Sequence, residues 1–218
     1  MNPKVIKFLK LLQQNNNRDW FSENKQLYLD AKAEFDDFVN HLIGGIELFD
    51  ASIRGLSSKN TVYRIYRDVR FSKDKTPYKR YFSAYIAPGG RKSKMAGYYI
   101  HIEPGNCLAG GGLHCPAKEI LNEVRFEIYN NPEEFTGIIE DNSFKNVFGK
   151  IIGNKLIRPP KGFPKEFPFI DQIKHKEYIA VHQFPDELVT NDKFIPYLLK
   201  VFKALKPMND FLNRPLIG

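Results

Sequence analysis

Cysteine is nearly absent from the 218 residues: Cys107 and Cys115 allow one bridge at most and lack the CxxC spacing of a metal or redox pair. Also missing is any apolar run approaching the roughly 20 residues of a membrane helix, so no membrane association is expected. The opening stretch MNPKVIKFLKLLQQNNN is interrupted by Lys4, Lys7 and Lys10, which predicts an amphipathic helix rather than the apolar centre of a secretory signal. The expected compartment is the reducing cytoplasm. There is neither a Walker-type phosphate loop nor a nucleophile elbow, and Ser83 and Cys115 are poor candidates for a nucleophile. His114 and Cys115, even taken with His101, match no standard ligand spacing, so no metal and no cofactor are expected.

What is present is an ordinary globular composition, 42% hydrophobic and 27% charged, which argues against disorder. The formal charge is +8, and its placement says more than its size. Ten basic residues and two acids, Asp68 and Asp74, lie between Arg64 and Lys94, whereas the remaining 23 basic and 23 acidic residues cancel. A solvated basic surface would spread its charge; this chain concentrates it, which points to an anionic partner.

Helical signals open the chain. Asn2-Pro3 reads as a cap and first-turn proline for a helix to about Gln14, ended by Asn15, Asn16 and Asn17. Asp19 is placed to cap a longer helix whose stripe is Leu27, Ala31, Phe35, Phe38, Leu42 and Ile46. The period then changes to two. Thr61 to Phe71, Tyr81 to Ala87, Gly97 to Glu103 and Asn106 to Leu113 are predicted as strands joined by short turns. After Cys115-Pro116 a helix is expected around Ile120 to Ile128, followed by a capping box at Asn131-Pro132-Glu133-Glu134. Residues 159 to 168 hold four prolines and read as a stiff loop or lid, Lys176 to Gln183 as a further strand, and Asp192 to Leu205 as a last helix stopped by Pro207. With neither repeat nor flexible linker, the expectation is one α+β domain over 1–218. Its centre is an antiparallel meander over about 61–113, extended by 176–183 and packed against flanking helices.

Alternation puts Arg64, Tyr66, Asp68 and Arg70 on one strand face, with Arg67 on the other among Tyr63, Ile65, Val69 and Phe71. A buried Arg67 requires a fixed acceptor, either an internal carboxylate or a ligand. On the neighbouring strands, Tyr81, Ser83 and Tyr85 share one side, as do Tyr99, His101 and Glu103. A carboxylate two residues from His101 faces the same way and could tune the imidazole for proton transfer. The loop carrying Lys73, Lys75, Tyr78 and Lys79 adds ammonium groups and an aromatic suited to phosphate or carboxylate. Gly110-Gly111-Gly112 reads as close backbone packing rather than an anion loop.

Seven stretches, among them NNNRDWFSENK, RIYRDVRFSKDKTPYK, GYYIHIEPG and FKALKPMNDFLN, are together similar to a family of conserved hypothetical proteins, domain of unknown function 2461. The resemblance spans nearly the whole chain and implies no mechanism. Within it, Tyr81 stands where members often carry histidine. Three functional readings follow from the residues. The first is an anionic ligand held by Arg64, Arg67, Arg70, Lys73, Lys75 and Lys79, with Tyr66, Tyr78, Tyr85 and His101 shaping the site. The second is a metal-independent enzyme with His101 as acid or base and Glu103 or Asp68 orienting it. The third is nucleic-acid binding through lysines and stacking tyrosines.

Overall fold

The computed structural model describes residues 1–217. Four antiparallel strands form one sheet in the order β1-β2-β3-β4: β1 is Phe82–Ile86, β2 Gly97–Ile102, β3 Cys107–Leu113 and β4 Tyr178–Phe184. Helices flank it, so the α+β meander expected from the sequence is the fold. No helix among the described residues is long and apolar enough to cross a membrane. The chain divides into two compact units. One comprises Met1–Arg91, Tyr99–Ala109 and Gln183–Leu199; the other comprises Lys92–Tyr98, Gly110–His182 and the chain from Lys200.

In the first unit, α1 (Lys4–Gln14) buries Val5, Phe8, Leu9 and Leu12, an i, i+3, i+4, i+7 stripe. The longer helix expected after Asp19 is in fact two. Asn17 caps α2 (Arg18–Glu23) by accepting the Trp20 N–H at 2.9 Å, and the chain breaks at Asn24 before α3 (Lys25–Glu47). The break shifts the stripe by one residue, so Tyr28 is buried in place of Leu27, which stays 43% exposed. From Ala31 to Ile46 the predicted positions are core. Phe82 of β1 lies between Phe8 and Phe35, at 5.9 and 5.2 Å between ring centres. Each such buried ring contributes about 1.5–3 kcal/mol of transfer free energy.

The alternating segment 61–71 is not a regular strand. Thr61 ends the short helix α4 (Ser58–Thr61), and beyond it only two isolated bridges form, Val62 to Ala84 and Tyr66 to Tyr78. Backbone bonds from Tyr63 to Ser83, Arg67 to Pro77 and Lys79 to Ile65 fold 62–67 back along 77–84. The bond pattern lapses beyond Arg67 because the side chains of Arg67, Asp68 and Asp74 satisfy the local backbone and one another instead.

In the second unit, α5 (Lys118–Asn130), α6 (Pro132–Glu140), α7 (Asn142–Phe148) and α8 (Ile170–Ile173) follow β3. Pro132 opens α6 as expected, but no capping box forms. Instead, the Asn131 amide donates to the Glu127 carboxylate at 3.1 Å. The last helix, α9 (Phe194–Asn213), passes through Pro207 instead of stopping there. Burial of Met208, Phe211 and Leu212 beyond the proline outweighs the hydrogen bond it forfeits. A β-carbon on Gly110, Gly111 or Gly112 would be driven into the carbonyl oxygens of Ala180, Gly97 or Tyr178. The glycine run is therefore where backbones meet without side chains.

Gly110→Ala is accordingly expected to lower stability by about 3 kcal/mol, since overpacking against backbone finds no flexible neighbour to yield. Gly44→Ala, in α3 with no atom within 4 Å of the added carbon, should raise stability by about 1 kcal/mol. Urea unfolding of the two variants checks both; equal and opposite signs to these would overturn the packing assignment.

Candidate functional site

Asn16, in the asparagine run read from sequence only as a helix end, acts as a strand neighbour for residue 78. Its amide donates to the Tyr78 carbonyl at 2.9 Å and its carbonyl accepts the Tyr78 N–H at 3.1 Å. Tyr78 turns inward and stacks on Phe21 with ring centres 3.9 Å apart. Alternation then places Lys79, Tyr81, Ser83 and Tyr85 on the side opposite the buried Tyr78, Phe82 and Ala84.

Beside that face runs β2 with Tyr99, His101 and Glu103. The His101 Nε2 lies 3.2 Å from Glu103 Oε2, and Nδ1 lies 3.1 Å from the Tyr99 hydroxyl. A carboxylate only accepts, so Nε2 carries the proton and Nδ1 accepts from Tyr99. Ser83 bonds the Tyr99 hydroxyl in turn, and Asn106 donates to Glu103 Oε2 at 3.1 Å. A continuous hydrogen-bonded chain thus runs from Ser83 to Asn106. The Tyr81 ring covers His101 at 4.2 Å.

Burial sets the electrostatics of this face. It lowers the His101 pKa, with the Glu103 hydrogen bond and charge opposing and Lys79 reinforcing. Burial pushes the Tyr99 hydroxyl up to about 12 and raises Tyr81 and Tyr63. Lys79 is half-buried, its ammonium 5.2 Å from the centre of the Tyr63 ring and 5.7 Å from that of Tyr81. Burial, and then the nearby Arg64 charge, lower its pKa. Among the described residues no carboxylate pairs with Lys79 or Arg64.

The other basic side chains named from sequence are engaged locally. Arg67 bonds Asp74 at 2.6 Å, the Thr76 carbonyl at 3.1 Å and the Thr76 hydroxyl, fixing the 72–76 loop. Asp74 is held down to about 2, chiefly by the Thr76 N–H and hydroxyl and then by Arg67. Arg70 forms an exposed two-pronged pair with Asp68, and Lys75 donates to the carbonyls of Val69 and Arg70. Tyr66 packs on Phe21 and Tyr78, and Lys73 is exposed. The face therefore gathers Lys79, Tyr81, Tyr99, His101 and Glu103, with the Arg64 charge near enough to act on Lys79. Tyr85 shares their side of β1 and is half-buried.

A family model described as a conserved hypothetical protein, DUF2461, matches residues 4–211. The chain belongs to this family. No curated protein and no solved structure matches it. Every residue of the DUF2461 chain named above in this site lies inside the matched span.

Because burial favours the neutral ring, His101 titrates below the ordinary histidine value of about 6.5. On acidification the unfolded chain takes up this proton first. The stability His101 contributes is therefore complete above the ordinary value and is lost as pH falls toward the folded one. Histidine NMR titration should show this depressed pKa and a further fall in Glu103→Gln, which removes an influence that raises it. Titration of His101 at or above the ordinary value would contradict the buried chain.

Proposed function

We propose that the protein binds a small anionic ligand, bearing phosphate or carboxylate, beside Lys79 and Tyr81, where the Arg64 charge also acts. The observation that carries this reading is the unpaired cation pair. An ammonium partly withdrawn from water and raised in energy by a second like charge is a poor structural element, because neither group supplies the other with a counterion. An anion between them would relieve both effects at once. Ring faces hold Lys79 in place by cation–π attraction, worth about 0.5–2 kcal/mol, without neutralising it. Arg67 and Arg70 offer less, since they already carry carboxylate partners.

His101 fits a positioning role in this reading. Both its nitrogens are occupied, one by Tyr99 and one by Glu103, so the ring braces Tyr81 rather than presenting a free lone pair. The face remains compatible with turnover only if a substrate displaces one of those bonds.

A thermal-shift panel of phosphate- and carboxylate-bearing metabolites tests the proposal. At least one compound should raise the melting temperature by several degrees, as ligand at 100 times its Kd adds about 2.7 kcal/mol. That rise should vanish in Lys79→Gln and in Arg64→Ala and survive in Arg70→Ala. A flat response across the panel, or a shift indifferent to Lys79 and Arg64, overturns it.

One observation favours nucleic acid as a second reading: Phe71 is 96% exposed, with the Arg70 guanidinium over its ring at 5.9 Å. Single-stranded oligonucleotide binding that falls steeply with salt and weakens in Phe71→Ala would support it; absence of binding at low salt removes it.

A further inference from the structure

In the second unit, three side chains of types that ligate metals converge without any part in the site above. His114 and Cys115 follow β3, and Glu177 immediately precedes β4. The His114 Nδ1 lies 2.8 Å from Glu177 Oε2, and the Cys115 Sγ lies 3.8 Å from each of them. One ligand atom from each residue fits within 4.8 Å of the others.

Consecutive residues on an extended chain point to opposite faces, so His114 and Cys115 could not ordinarily address one point. Cys115 has φ of 44°, and it is the only non-glycine residue with positive φ among those described. Such a conformation costs about 1–3 kcal/mol for a residue with a β-carbon, and here it brings the thiol to the imidazole's side. Glu177 is aimed from behind. Its Oε1 accepts the Asn154 N–H at 3.4 Å, leaving Oε2 toward the other two. Gly153, with φ of 128°, makes room for it, because a β-carbon there would stand 2.5 Å from the Glu177 Cγ.

We propose that His114, Cys115 and Glu177 form a binding site for a zinc-class divalent ion. Metal–ligand lengths of about 2.0–2.3 Å in a tetrahedron place sulfur about 3.6 Å from nitrogen and oxygen, and nitrogen about 3.4 Å from oxygen. The two sulfur separations already match to within a few tenths of an ångström. Only the His114 to Glu177 contact must open, and His114 is exposed and free to turn. The thiolate disfavours magnesium and calcium, and imidazole with one carboxylate completes a borderline donor set. As the metal–sulfur bond forms, the thiol proton passes to solvent. Three protein ligands leave one tetrahedral position for water. His114 and Cys115 are neighbours in the chain; the third ligand arrives from 62 residues downstream through the strand pairing.

Titration of the reduced full-length protein with Co2+ tests the site. One equivalent should produce a thiolate-to-cobalt charge-transfer absorption that Zn2+ abolishes. Cys115→Ser should lose the band and Cys107→Ser should keep it. His114→Ala, on the surface and expected to fold, should weaken Co2+ binding at least about tenfold, since even supporting partners of metal ligands are worth 10–100-fold. Glu177→Gln should do the same where its melting temperature shows it folded. No band in the wild type, a band retained in Cys115→Ser, or unchanged affinity in His114→Ala overturns the proposal and leaves a His114–Glu177 hydrogen bond beside an idle thiol.

Discussion

An ammonium group withdrawn from water needs a counterion or a substitute, and among the described residues Lys79, just before β1, has the faces of two tyrosines and no carboxylate. That constraint orders the surrounding structure. Tyr78 must be locked inward for Lys79 to alternate outward, which Asn16 and the Phe21 ring accomplish from the other side of the segment. Tyr81 presents its ring 5.7 Å from the ammonium, and His101 at 4.2 Å supports that ring. His101 in turn is oriented at both nitrogens by Tyr99 and Glu103. The connection after α1, α2, the irregular arm and two strands thus cooperate in setting one side chain.

The same logic separates ornament from site within the basic segment. Charge concentration alone suggested that all six Lys and Arg side chains between Arg64 and Lys79 named as ligands shared one task. Geometry divides them. Arg67 fastens its own loop through Asp74 and Thr76, Arg70 pairs in solvent with Asp68, and Lys75 caps carbonyls. An exposed pair such as Arg70 with Asp68 contributes little to stability. Among the described residues Arg64 and Lys79 are left with like charge and no carboxylate, and that imbalance is what a ligand would correct.

Much of this was legible in the residues, for identifiable reasons. Period-two patterns in 82–86 and 97–102 are strong because one face is uniformly apolar, and the Tyr99, His101, Glu103 row followed directly. The 61–71 segment misled because its alternation is real, while its polar side chains satisfy the backbone that a ladder would have paired. Leu27 was misplaced by the single-residue break at Asn24, and Pro207 by the strength of the apolar burial beyond it. Asn16 and Glu177 were invisible for another reason. Each acts across dozens of residues, and nothing local marks an asparagine as a strand substitute or a glutamate as the third member of a cluster.

The proposed site turns on Lys79, a cation with no carboxylate partner among the described residues, to which a bound anion would supply a counterion. Its ammonium can be titrated directly by NMR of the labelled lysine side chain, with and without saturating pyrophosphate. Its pKa should lie below the ordinary lysine value of about 10.4 in the free protein and rise when the anion binds. A Lys79 that titrates at or above the ordinary value when free, and does not respond to pyrophosphate, would contradict it.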